Sequence, residues 1–149
     1  MKYLLAILVC ILAFVSCQKR VLYSQYIPVP VEGWMRNDTL YYEADMLYSG
    51  GNCSMELGLR INNFYPYQNI SIIVEWINGL VSKTDTIDQM LYDKERNLSE
   101  GGIGLYQYVF PFGGLSVNAG DTIILRVHHN MRKEILLGIS DVGIQINRY

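Results

Sequence analysis

The sequence is poor in the residues that catalysis, metal binding and nucleic-acid recognition draw on. Its 149 residues include two histidines and three cysteines, and the formal net charge is −2. Without a basic excess there is no electrostatic attraction for a polyanion, which argues against a nucleic-acid partner. The histidines, His128 and His129, are adjacent in a strand-like run and read as edge or rim residues. Strand neighbours point to opposite faces, so the two cannot chelate one metal ion together. There is no Cys-x-x-Cys, glycine-rich phosphate loop, calcium-loop pattern or Gly-x-Ser-x-Gly elbow. Acidic neighbours such as Asp85 and Asp88, or Asp93 and Glu95, read as solvated charges, because glycosidase carboxylates face each other from separate elements across a cleft. The expectation is a protein with no catalytic residues, no metal and no cofactor. A membrane-crossing run is also missing: Tyr3–Val15 is apolar for only 13 residues, short of the ~20 that a spanning helix needs.

That run has the proportions of a secretory signal, with Lys2 as its positive end. Phe14-Val15-Ser16-Cys17 follows, and a small residue directly before a cysteine resembles the lipobox of bacterial lipoproteins. There the thiol receives a diacylglycerol and the signal is cut. Cys10 does not fit, because bulky Val9 precedes it. Residues 1–16 are therefore expected to be a lipoprotein signal peptide and Cys17 the lipidated first residue of the mature chain. Several acyl chains, each burying CH₂ groups at ~0.8 kcal/mol, anchor a protein stably.

Cleavage there leaves 133 residues, enough for one domain with a real core. Cys53 is then the one remaining thiol apart from Cys17, so no disulfide can form within the domain. Its expected role is that of a half-buried residue at a strand start. Residues 17–33 read as an extended tether, since Pro28-Val29-Pro30 favours a polyproline-like path without internal hydrogen bonds.

Beyond Asn37 a period of two recurs. Leu40, Tyr42, Ala44 and Met46 form one apolar row; Met55, Leu57, Leu59 and Ile61 form another; Ile70, Ile72, Val74 and Trp76 a third. Tyr106, Tyr108 and Phe110 share a face, as do Ile123, Leu125 and Val127, and Val142, Ile144 and Ile146. Turn signals separate these runs, and Asn78-Gly79 predicts a tight hairpin. At most a turn or two of helix is predicted, over 88–97. The pattern predicts an all-β domain over 34–149, an antiparallel β-sandwich of about seven to nine short strands, with a closed barrel as the alternative.

Two sets of surface residues are candidates for function. Asp38-Thr39-Leu40, Asp85-Thr86-Ile87 and Asp121-Thr122-Ile123 resemble the Asp-Thr-aliphatic O-glycosylation pattern of some periplasmic proteins, which makes Thr39, Thr86 and Thr122 candidate acceptors. Asp-Thr also simply begins strands. Among the abundant aromatics, Trp34, Tyr65, Tyr67, Tyr106 and Tyr108 are candidates for an interaction surface, either for protein or for stacking on sugar rings. Tyr106 and Tyr108, on one side of a strand, are equally placed to be core.

The run Leu137-Gly138-Ile139-Ser140-Asp141-Val142-Gly143-Ile144-Gln145-Ile146 resembles the closing motif of the gliding-motility-associated lipoprotein family, GldH. His129-Asn130-Met131-Arg132 is similar to that family's polar-Met-Arg stretch, and Leu59-Arg60-Ile61-Asn62-Asn63, followed by Tyr65, Tyr67 and Asn69, to its Leu-Arg-x-Asn segment. Tyr26 soon after the lipid cysteine and Gly33-Trp34 also fit. The segment 93–102 departs from the family's Gly-x-Trp-x-Gly-like loop by having no tryptophan. In the closing motif, Gly138 and Gly143 flank Ser140-Asp141, and a bulge or tight bend is expected there, with Asp141 able to cap it.

The resemblance implies a non-enzymatic envelope lipoprotein, in gliding members a component required for movement over surfaces. Its partners would be the membrane, through the lipid, and envelope proteins. A carbohydrate-binding sandwich is the alternative, with glycan as partner. Gln18 is not the aspartate that favours inner-membrane retention, and Lys19-Arg20 lacks an acidic export signature. The expected location is the outer membrane, on its periplasmic face.

Overall fold

The computed structural model describes residues 20–46, 50–91 and 104–149. Cys17, the signal segment and residues 93–102 lie outside them. Ten strands are present among the described residues: β1 (Arg20–Pro28), β2 (Trp34–Met35), β3 (Leu40–Asp45), β4 (Gly51–Asn62), β5 (Asn69–Asn78), β6 (Val81–Met90), β7 (Leu105–Val117), β8 (Thr122–His129), β9 (Ile135–Leu136) and β10 (Ile139–Arg148). Eight are long. They form two four-stranded sheets, β1-β10-β4-β7 and β3-β8-β5-β6, with β2 and β9 as a small separate pair. Every pairing is antiparallel. Successive long strands alternate between the sheets except at β5 and β6, which is the strand order of a jelly-roll sandwich. Residues 88–90, where a helical turn was expected to begin, are instead the end of β6.

The predicted apolar rows are the facing inner surfaces. Met55, Leu57, Leu59 and Ile61 of β4 lie beside Val142, Ile144 and Ile146 of β10 and Phe110 and Phe112 of β7. The opposite sheet supplies Tyr42 and Ala44, Ile70, Ile72, Val74 and Trp76, and Ile123, Leu125 and Val127. β-branched and long aliphatic side chains suit such half-buried pleated faces, and each full burial contributes ~1.5–3 kcal/mol. Tyr42 crosses the core, its hydroxyl donating 2.8 Å to the Val142 carbonyl of the other sheet. Burial pushes that phenol well above its ordinary pKa, so it stays protonated and a donor. Cys53, at the start of β4, is fully buried rather than half-buried, and desolvation raises its thiol pKa.

The expected tether needs correction. Residues 20–28 are not a free extended segment but edge strand β1, hydrogen-bonded along β10 from Arg20↔Arg148 to Pro28↔Asp141. The sandwich therefore already includes residues 20–28 and does not start at 34. A bulge between Val21 and Tyr23 leaves Leu22 as the extra residue, and this breaks the period of two by which strands are recognised. Past the bulge, Ile27 packs on the core and Tyr26 turns to the outer face.

There the Tyr26 ring lies across two glycines, Gly143 of β10 and Gly58 of β4, which are partners in register. A methyl group at Gly143 would come within 2.6 Å of ring carbons Cε1 and Cζ, and one at Gly58 would strike the Tyr26 hydroxyl. The Arg60 guanidinium stacks 4.1 Å from the ring centroid, a cation–π contact worth ~0.5–1 kcal/mol. Gln107 of β7 closes the set, donating 3.4 Å to the Tyr26 hydroxyl and accepting 3.2 Å from Arg60 Nε. One ring thus spans the outer face of four strands. Gly143 is required for this close approach rather than for a bend. The bulge expected in the closing motif is present, between Ile139 and Asp141.

Gly143→Ala should destabilise the domain by ~1–3 kcal/mol through overpacking, measured by urea unfolding. In a Tyr26→Ala background the same substitution should cost much less, because the obstructing ring is gone. Equal costs in both backgrounds would refute the role of the ring.

Candidate functional site

The segments that carry the family resemblance converge. Tyr26, Arg60 and Gly143 meet on the outer face just described. Gly33-Trp34 meets His129-Asn130-Met131-Arg132 at the end of the sandwich where β1 and β8 finish. His129 continues the inner face of β8 and is 1% exposed, so it is a core residue and not a rim histidine. Its Nε2 lies 3.2 Å from the Trp34 carbonyl. A carbonyl only accepts, so Nε2 carries the proton, and buried Nδ1 has no partner among the described residues. The Trp34 indole stands edge-on to the imidazole at 5.4 Å and donates 3.1 Å to the Asp38 carbonyl. Asn130 N donates 2.8 Å to Ser71 O, and Met131 packs on the core.

The third convergence joins the Leu-Arg-x-Asn segment to the closing motif. Asn62 N donates 2.8 Å to Gly138 O, and the Asn62 side chain accepts 2.9 Å from Phe64 N. Gly138 has φ 81°, and a β-carbon there would collide with the Tyr65 backbone nitrogen. Only glycine relieves both constraints.

These junctions bring several exposed apolar residues to the same end. Val31 is 95% exposed and sits in the turn closed by Gly33 N to Pro30 O. Gly33 abuts Ile135 and Leu137, Met35 pairs with Ile135, and Gly138, next to Leu137, abuts the backbone of Phe64, whose side chain is 79% exposed. A patch of this kind rimmed by charge, here Glu32, Arg36, Arg132, Lys133 and Glu134, is what an interaction surface looks like.

The predicted aromatic surface is largely elsewhere. Trp34 and Tyr65 are buried, at 1% and 3% exposure, so neither is available to stack on a sugar. The Tyr65 hydroxyl donates 2.9 Å to Asn69 O, and its ring stands edge-on to Tyr67, which is half-buried. Tyr106 and Tyr108 face inward beside Ile61 and Leu59, with Tyr108 stacked on Phe110. Of the Asp-Thr threonines, Thr86 and Thr122 are exposed and Thr39 is half-buried; the Thr122 hydroxyl donates 2.8 Å to Asp45. His128 faces away from His129, and no three metal-ligating side chains come together among the described residues. The exposed residues of the apolar end were missed. Val31, Phe64 and Leu137 lie in short connections, where one exposed apolar residue carries no periodic signal.

A family profile described as the GldH lipoprotein matches residues 21–146, from the start of β1 almost to the end of β10. The chain belongs to the GldH lipoprotein family. It is 25% identical to the gliding motility lipoprotein GldH of Flavobacterium johnsoniae, over 95% of this chain and 93% of that protein. Among solved structures, latent PorU from Porphyromonas gingivalis overlaps 89% of this chain and 14% of its own, at TM-score 0.36 and 7% identity. Eiger TNF from S. frugiperda overlaps 85% and 92%, at TM-score 0.31 and 13% identity. GldH is a family of cell-envelope lipoproteins, and its profile covers all three convergences.

The buried histidine gives this GldH domain an acid sensitivity. Desolvation holds the His129 pKa below its ordinary 6.5, against a smaller opposing effect of the Trp34 carbonyl. The unfolded chain then takes up the proton first, so stability is fully present above that value and lost as pH falls below it. The thermal midpoint should drop between pH ~7.5 and ~5.5. His129→Gln, whose amide can still donate to Trp34 O, should flatten that slope. An unchanged slope in the variant would remove His129 as its source.

Proposed function

We propose that this GldH-family chain is a non-enzymatic interaction component of the cell envelope. Cys17 carries the lipid, residues 1–16 are its signal peptide, and the anchor holds the sandwich on the periplasmic face of the outer membrane. The apolar end around Val31, Met35, Phe64, Ile135 and Leu137 contacts envelope protein partners. The observation that carries this reading is the position of that surface. β1 runs away from Cys17 for nine residues before reaching it, a rise of roughly 30 Å. A protein anchored at Cys17 therefore holds its apolar end off the membrane, toward whatever stands in the periplasm. The name of the Flavobacterium relative ties that protein to gliding motility, and we assign this chain to an envelope assembly of the same type.

Photo-crosslinker placed at Phe64 or Leu137 in living cells should capture a specific envelope protein, and the same group at Thr86 on β6 should not. The double substitution Phe64→Asp and Leu137→Asp should abolish capture while moving unfolding free energy by no more than ~0.5 kcal/mol, as expected of exposed sites. Capture at Thr86 alone, or undiminished association of the double variant, would reject this surface. Separately, Cys17→Ser should release the protein from envelope fractions and prevent uptake of labelled palmitate.

A further inference from the structure

We propose that the opposite end of the sandwich rests directly on the phospholipid surface to which the chain is anchored, and that this contact fixes the orientation of the whole domain. The inference rests on lipidation of Cys17, and it adds a second, non-covalent membrane site formed by folded residues.

Chain length is the first argument. At most residues 18 and 19 separate Cys17 from β1, and three Cα steps reach at most ~11 Å. An edge strand built into a four-stranded sheet cannot swing away as a tether would. The end of the body where β1 begins must lie within that distance of the anchor.

The second argument is what that end presents. Arg20 and Arg148 are register partners and both are exposed. Val21 and Tyr149 are exposed beside them in sequence, and Tyr149 is held by its backbone nitrogen to Asn52 O at 3.3 Å. The other sheet contributes the β5–β6 hairpin, whose end lies beside the start of β8 through Asn78↔Ile123. Asn78 pairs with Val81, so the connection is Gly79-Leu80 rather than the predicted Asn78-Gly79. Leu80 at its tip is 106% exposed, and Val81 is exposed as well. Tight turns favour glycine, asparagine, aspartate and serine for backbone reasons. A leucine thrust fully into water serves no packing, but it suits the interface of a bilayer.

Charge distinguishes the occupant. Two arginines beside apolar tips match anionic headgroups above acyl chains. The carboxylates at this end keep their charge but belong to the other sheet from the arginines: Asp45 of β3 accepts from the Thr122 hydroxyl at 2.8 Å, and Asp121, just before β8, accepts from Asn118 N at 2.8 Å and Asn78 Nδ2 at 3.2 Å. Lys83, three residues past the tip, lies 3.9 Å from Asp85.

The test uses full-length, lipidated protein reconstituted in vesicles of phosphatidylethanolamine with phosphatidylglycerol. A polarity-sensitive fluorophore is attached at Leu80→Cys in one preparation and at Phe64→Cys in another, the buried Cys53 remaining unreactive. Lipid-borne spin labels should quench the fluorophore at position 80 several-fold more than at 64. Replacing phosphatidylglycerol with phosphatidylcholine should shrink that difference. Equal quenching at the two positions, in protein whose intact mass shows the lipid, overturns the contact while leaving the anchor intact. Indifference to the lipid change overturns the role of the arginines. Protein without lipid mass overturns the anchor and this inference together.

Discussion

The joint between the N-terminal strand and the body is the constraint on which the rest depends. An edge strand has hydrogen bonds on one side only, and β1 contains a bulge and ends in Pro28. Alone, that pairing would be weak. The Tyr26 ring on Gly58 and Gly143, stacked by Arg60 and tied to Gln107, extends its attachment beyond β10 to two further strands, β4 and β7. Cross-strand aromatics laid over glycine are a known means of holding register. Here the element being held is the one that leads to Cys17, the proposed lipid anchor. A force or torque at the anchor would enter the sandwich through that ring.

This explains why the recognisable motifs are structural rather than catalytic. Tyr26, Arg60 and Gly143 clamp β1; His129 and Trp34 lock the small β2–β9 pair onto the core; Asn62 and Gly138 bind the 62–65 turn to the final strand. Each is a place where a backbone comes too close for a side chain, or where a buried polar atom needs one particular partner. A sequence pattern maintained by such contacts identifies the architecture with more precision than the task.

The strength and the limits of reading the sequence follow from the same physics. Rows such as Met55-Leu57-Leu59-Ile61 were legible because a two-sided strand must alternate, and that period is local. β1 was not legible because Leu22 is extruded and the prolines imitate a linker. Trp34, Tyr65 and His129 were misjudged as surface residues for a different reason: an amphipathic ring is buried or exposed according to tertiary partners, here the Asp38, Asn69 and Trp34 carbonyls. The apolar end escaped notice because its members come from several connections and become neighbours only after folding.

A jelly roll has two ends, and antiparallel strands place every connection at one or the other. With a flexible tether these ends would be equivalent to a partner, since the body could tumble and present either. The pairing of β1 from residue 20 removes that freedom. Orientation then costs no further entropy when a partner arrives, because the joint has already restricted it, and restricting a binder beforehand is a general route to affinity without new contacts. The apolar end can therefore be small and still be selective. On the proposed anchoring, envelope neighbours would meet it from one direction and at a height set by the length of the strands.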